Sequence, residues 1–183
     1  MTEKELFSLK FPIGKFSKPE VITPRYLSTW INDIQSFPHN VDHIVTGLSL
    51  EELHWKYRPE GWNIQQLVHH CADSHMNALI RFKLALTEDV PTIKPYEEAL
   101  WAELPDSLEI DIKKSLKILE GVHARLGILL KSLSPEQLKR EFIHPDHENR
   151  ISLAENIGMY AWHSNHHLAH MKQAIDSHGK YND

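Results

Sequence analysis

Four histidines fall close together near the C-terminal end of this chain, in the run Trp162-His163-Ser164-Asn165-His166-His167-Leu168-Ala169-His170. A neutral imidazole offers a lone pair to a transition metal, which makes such a run a candidate ligand source. His163 and His167 stand four apart, as do His166 and His170. Residues at that spacing lie one above the other on a helix, offset by about 40° around its axis. Either pair could present two imidazoles to one ion. The alternative is a histidine-rich, solvated helix face that binds no metal.

The helix that must carry these residues has an apolar stripe of Leu153, Ile157, Tyr160, Ala161, Leu168, Met171 and Ile175, which should face the core. At about 100° per residue, His167 falls beside that stripe and His163 on its flank. His166 and His170 lie further round, toward the expected solvent side. Phase therefore favours His163 and His167 as the pair that looks inward.

A second polar line borders a core stripe earlier in the chain. From Asn63 to about Glu88 a helix is predicted with Ile64, Leu67, Val68, Cys71, Ala78, Leu79, Phe82 and Leu86 inward. Asn63, His70, Ser74, Asn77 and Arg81 run alongside at helical spacing, as either a solvated edge or the wall of a site. His69 points elsewhere, toward Asp73, Met76 and Ile80. His123 lies on the apolar face of a third long helix, Leu108 to Leu133, where a hydrogen-bonded core histidine is the competing reading.

The remaining elements follow from caps and breakers. Residues 1–22, punctuated by Pro12, Gly14 and Pro19, read as an extended arm. Thr23-Pro24 opens the first long helix, which Pro38 is expected to interrupt before Val41, Ile44, Val45 and Leu48 resume the period. Ser49-Leu50-Glu51-Glu52 and Ser134-Pro135-Glu136-Gln137 open short helices. Tyr96 to Leu104 forms another, in a long proline-bounded connection whose Tyr96 and Trp101 suit a lid, a partner contact or ordinary packing. Phe142 to Ser152, around Pro145-Asp146-His147-Glu148-Asn149, reads as a small hairpin or turn. Gly179 is placed to end the last helix. Four long helices and almost no strand define one all-α bundle, a single domain over residues 1–183.

Composition narrows the function. A length of 183 residues with 41% hydrophobic and 25% charged residues suits one soluble domain with a sizeable core. A net charge of -5 disfavours nucleic acid as a partner, since phosphate binding needs a concentrated basic surface. No apolar run is long enough to span a bilayer, and Met1-Thr2-Glu3-Lys4-Glu5 lacks a secretory pattern. The single cysteine, Cys71, excludes an intrachain disulfide and fits a cytoplasmic location. On the core face of its helix it reads as structural. No nucleophile elbow, P-loop or His-Glu-x-x-His motif is present.

Several uncommon blocks occur in a familiar order: Pro12-Ile13-Gly14, Gly61-Trp62, Val68-His69-His70 and Ala72-Asp73-Ser74-His75-Met76-Asn77. They continue with Ile80-Arg81-Phe82-Lys83-Leu84, Pro95-Tyr96, His144-Pro145-Asp146 and Trp162-His163-Ser164. Together they resemble the YfiT-type metal-dependent hydrolases of the DinB-like superfamily, over nearly the whole chain. The resemblance implies a DinB/YfiT-like four-helix bundle, a homodimer, and one divalent metal per subunit, Zn2+ or Ni2+. It implies His70, His163 and His167 as ligands, with His69, His166 and His170 outside the set. Ser74, Asn77, Arg81 and Trp101 would line the pocket. Where the family often carries a third adjacent histidine this chain has Asn165, which is not one of the matched ligand positions.

Three neutral imidazoles leave the ion its full charge and an open position, and a water placed there is acidified to a pKa of about 7. With that chemistry available, the resemblance implies hydrolysis of a small-molecule substrate. The same open position would equally serve a metal-dependent transferase using a low-molecular-weight thiol, and a non-catalytic metal-binding stress protein is the third reading. A general base is hard to name: Asp73, His75, His123 and His166 are available, with packed or supporting roles the alternative.

Overall fold

The computed structural model describes residues 1–145 and 149–182. In chain order the elements are α1 (Glu3–Lys10), α2 (Pro24–Val45), α3 (Leu50–Leu53), α4 (Ile64–Thr87), α5 (Glu98–Trp101) and α6 (Lys113–Lys131), then α7 (Pro135–Leu138), β1 (Glu141–His144), β2 (Asn149–Ser152) and α8 (Leu153–Asp176). The four long helices α2, α4, α6 and α8 form the bundle. Each of α2 and α4 packs against both α6 and α8, so the chain-consecutive pairs α2/α4 and α6/α8 stand on the diagonals. No helix among the described residues is long and apolar enough to cross a membrane.

Local chemistry sets the helix starts as anticipated. Thr23 accepts from the Tyr26 N–H ahead of Pro24 at the first turn. Asn63 with Gln66, Ser49 with Glu52, and Ser134 with Gln137 form capping boxes in which side chain and backbone satisfy one another reciprocally. Past the end of α8, Gly179 adopts φ 74°, the left-handed conformation that a glycine accepts without steric cost. Gly158 lets α2 and α8 approach closely, because a Cβ there would stand 2.9 Å from the Trp30 ring.

The backbone departs from the sequence expectations in the N-terminal arm, at Pro38 and at the start of the third long helix, and the short helix expected over Tyr96 to Leu104 spans only Glu98–Trp101. Residues 1–22 are not wholly extended: Thr2 and Glu5 form a capping box that opens the helix α1. Pro38 does not interrupt α2, which runs continuously through it. A helix tolerates an internal proline when tertiary contacts take up the freed carbonyl, and here His123 of α6 reaches the Ile34 carbonyl. The third long helix starts at Lys113 rather than Leu108, because residues 102–112 are turns that bring Ser107 and Glu109 onto α4.

The hairpin expected over 142–152 is present as antiparallel β1 and β2, with Phe142 opposite Ile151. Asp146, His147 and Glu148 at its expected turn lie outside the described residues. A backbone bridge from Ile93 to Ile143 ties the 88–97 connection to the hairpin.

The apolar core is divided. One cluster gathers Phe37, Val41, Leu67, Cys71, Leu119 and Met171. The other gathers Ile34, Ala78, Phe82, Leu126, Leu130 and Ile157. On three of the four bundle helices the residues between the two clusters are where polar side chains enter: His75 on α4, His123 on α6, and His163 with Ser164 on α8. A polar layer thus crosses the bundle between two apolar halves.

Candidate metal centre

His70 on α4 and His163 and His167 on α8 come together in this layer. One ring nitrogen from each lies within 4.8 Å of the other two. His70 Nε2 is 3.3 Å from His163 Nε2 across the α4–α8 interface. The rings of His163 and His167 sit edge to face at 4.4 Å, neighbours on one helix face through their four-residue spacing. Trp62, from the loop before α4, covers His70 with ring centroids 4.6 Å apart.

The electrostatics suit a cation. Burial pushes the His70 ring down to about 4. Burial, then the neighbouring histidines, holds His163 and His167 well below the ordinary imidazole range. All three are therefore neutral at pH 7, with lone pairs to give. Neutral, converging imidazoles drawn from two helices match the donor set that divalent zinc or nickel accepts.

The ligand candidates are themselves held from behind. His163 Nδ1 lies 3.0 Å from His75 Nε2. His75 Nδ1 lies 2.6 Å from His123 Nε2, and His123 Nδ1 lies 2.6 Å from the Ile34 carbonyl oxygen. His167 Nδ1 lies 3.4 Å from His170 Nδ1, and His170 Nε2 lies 3.1 Å from the Lys10 carbonyl oxygen. Tyr57 stacks on the His170 ring at 3.9 Å.

Two of the histidines on α8 are not placed as helix phase alone suggests. His166 and His170 do not face solvent; they are 7% and 2% exposed. The N-terminal arm crosses that face of α8. Phe11 stacks on His166, and the Trp162 indole N–H donates to the Gly14 carbonyl at 3.0 Å. Helix phase reports only the direction of a side chain, and a covering segment can bury either side. His69 is also buried, with Nδ1 2.7 Å from Ser115 Oγ and Nε2 2.8 Å from the Glu109 carbonyl oxygen. It faces α6, away from the triad.

The other candidate residues fall at varied distances from the chemistry. Arg81 donates to the Tyr160 hydroxyl at 3.3 Å, and Tyr160 in turn reaches the Ser74 carbonyl at 3.4 Å. The Tyr160 ring sits 5.8 Å from that of His163, so Ser74 and Arg81 adjoin the triad through it. Asn77 turns its amide back to the Asp73 carbonyl at 2.9 Å. Trp101 packs on Tyr96 at 4.5 Å and is 37% exposed. The Asp73 carboxyl is raised above its ordinary range by burial and then by Asp106, and it keeps company with Asp106 and His69. His123 is a buried, doubly hydrogen-bonded histidine that reaches the triad only through His75. Cys71 is fully buried and its thiol is pushed far up by desolvation, which leaves it inert.

Tyr160 was legible only as a core residue, because its apolar ring follows the stripe while its hydroxyl serves the polar layer. Tyr57 and Trp62, which cover His170 and His70, lie in a loop where no periodicity marks them.

The comparisons with known proteins agree with this fold. Residues 34–171 match the family profile of the DinB superfamily. A protein of Oceanobacillus iheyensis named "putative metal-dependent hydrolase" is 48% identical over 162 residues, covering 88% of this chain and 93% of its own length. A Bacillus cereus protein of the same name is 49% identical over 164 residues, covering 89% and 93%. Among solved structures, YfiT from Bacillus subtilis superposes with a TM-score of 0.91 at 41% identity, covering 94% of this chain and 98% of that one. It is described as "a probable metal-dependent hydrolase with an unusual four-helix bundle topology".

Proposed function

This chain belongs to the DinB superfamily, and from that premise we propose that it is a metal-dependent hydrolase of a small molecule. One divalent ion, Zn2+ or Ni2+, would be held by His70, His163 and His167. The observation that carries the reading is the convergence of three neutral ring nitrogens within 4.8 Å, supplied by two helices. An ion held by neutral ligands keeps its charge and supplies Lewis acidity toward water and toward a carbonyl or phosphoryl oxygen.

The protein's own residues do the rest. Trp62 packs against the His70 ring and would limit solvent access to it. Tyr160 and Arg81 bring a hydroxyl and a positive charge to the His163 side, where they would orient a polar substrate. Asp73 and His123 remain without a role at the reacting atoms.

We place the protein in the cytoplasm, on its single buried Cys71, and as a homodimer. Ile80, 55% exposed on α4 beside half-buried Met76, is the apolar surface available for the contact.

The test is elemental analysis of the purified protein, followed by ester, amide and phosphoester turnover in plain buffer with and without the metal. Metal-dependent cleavage supports the hydrolase. Consumption of an electrophile only when a thiol is added would replace it with the thiol transferase. No turnover by fully loaded protein in either assay would leave a metal-binding protein without catalysis.

A further inference from the structure

An α-helix carbonyl normally accepts from the N–H four residues on. Pro38 has no N–H, so the carbonyl of Ile34 on α2 is deprived of that partner. His123, from α6, fills the gap at 2.6 Å. The last carbonyls of α1 are likewise without intrahelical donors. Leu9 receives the Gln173 amide at 3.1 Å, and Lys10 receives the His170 ring at 3.1 Å.

A carbonyl oxygen only accepts, and a neutral imidazole has one N–H and one lone pair. These two facts fix every proton in both chains of histidines. Against the Ile34 carbonyl, His123 must carry its proton on Nδ1, so its Nε2 is an acceptor. His75 must then donate from Nδ1, which makes its own Nε2 an acceptor. His163 donates to it from Nδ1 at 3.0 Å, and its lone pair is left on Nε2. The second chain runs the same way. His170 donates from Nε2 to Lys10, and its Nδ1 accepts from His167 Nδ1 at 3.4 Å, which leaves the His167 lone pair on Nε2.

We propose that His75, His123 and His170 are positioning residues that form two relays, each anchored on a backbone carbonyl, and thereby lock His163 and His167 with Nε2 lone pairs toward the metal. The inference rests on the ligand assignment proposed above and adds to it which ring nitrogen binds and why. Pro38 is the residue that opens the first relay, because it frees the carbonyl at its end. The N-terminal arm closes the second, through Lys10. Donation from Nδ1 also makes the opposite nitrogen a stronger ligand and holds the ring plane.

The relays orient; they do not conduct. His123 borders a surface cleft of about 640 Å3 between α2 and α6, lined also by Gln35, His39 and Glu120. Its Nδ1 proton, however, is committed to a carbonyl that has no proton to return.

The test reads protons and metal separately. In metal-free protein, long-range 1H–15N correlation spectra should show His163 and His167 protonated on Nδ1. His123→Phe should mix the tautomers of His163 alone, and His170→Phe those of His167 alone. Each variant should weaken Zn2+ binding, measured by competition with a chromophoric chelator, by about 10–100-fold. His123→Gln and His170→Gln should restore most of the loss. A glutamine amide donates to the carbonyl from nitrogen and accepts from the histidine on oxygen, so it keeps the polarity of the relay.

Wild-type protein with His163 or His167 protonated on Nε2 would overturn the proposal, and this reading needs no variant to fold. So would a folded His123→Phe variant with unchanged tautomers and unchanged Zn2+ affinity. Wild-type protein that shows the expected tautomers but binds no divalent metal would instead overturn the ligand assignment.

Discussion

His70 Nε2 and His163 Nε2 face each other at 3.3 Å, one from α4 and one from α8. An ion bound there ties two long bundle helices together, in a layer where apolar packing is interrupted by polar groups. Metal binding should therefore stabilise the fold as well as equip it. At a free metal concentration one hundred times Kd, the linkage amounts to about 2.7 kcal/mol. Thermal unfolding with excess Zn2+ should give a Tm several degrees above that with a chelator. The increment should vanish in His70→Ala.

The metal-free protein should be acid-sensitive. Burial holds His70 and His123 down to about 4 and keeps His163 and His167 well below their ordinary value. The unfolded chain takes up these protons near pH 6.5, whereas the folded chain resists them, so the unfolded state binds more protons between those values. Stability is fully present above about pH 6.5 and is lost as pH falls toward 4. A single histidine held at about 4 instead of 6.5 costs about 3 kcal/mol across that window. Urea midpoints in chelator should fall steeply from pH 7 to pH 5, and a flat profile would contradict the buried, neutral layer.

The N-terminal arm should matter to a site it does not ligate. Phe11 stacks on His166, and Lys10 accepts from His170, so removing residues 1–12 uncovers both histidines. The truncated protein should keep its helical circular dichroism while binding Zn2+ more weakly. Unaltered affinity would show that the arm is only packing.

Light scattering at micromolar concentration should return twice the 21.3 kDa of one chain. Ile80→Glu places a charge on the exposed apolar part of α4 and should shift the population to monomer. A wild-type monomer would remove the dimer from the account.

Much of this was legible in the sequence because it is written in local chemistry. Caps such as Asn63-x-x-Gln66 set the helix starts, and the spacing of His163 and His167 set one ring above the other. Thr2-x-x-Glu5 carries the same capping signal for α1, but Pro12, Gly14 and Pro19 after it dominate the composition of the arm. The continuity of α2 through Pro38 was not legible, since it depends on His123, 85 residues further along, reaching the freed carbonyl. The burial of His166 and His170 was hidden for a similar reason. Phase gives direction around a helix, but the covering Phe11 comes from the opposite end of the chain. Non-local contacts of this kind leave no periodic trace.

The most direct test of the central claim is the metal content of single alanine variants after exhaustive dialysis, set against the wild-type protein. His70→Ala, His163→Ala and His167→Ala should come out largely empty, since losing one of three ligands weakens binding severely. His69→Ala and His166→Ala, which remove neighbouring histidines that face other partners, should stay loaded. Retention of metal by His163→Ala and His167→Ala, with loss from His166→Ala, would contradict the account and move the site to the other face of α8.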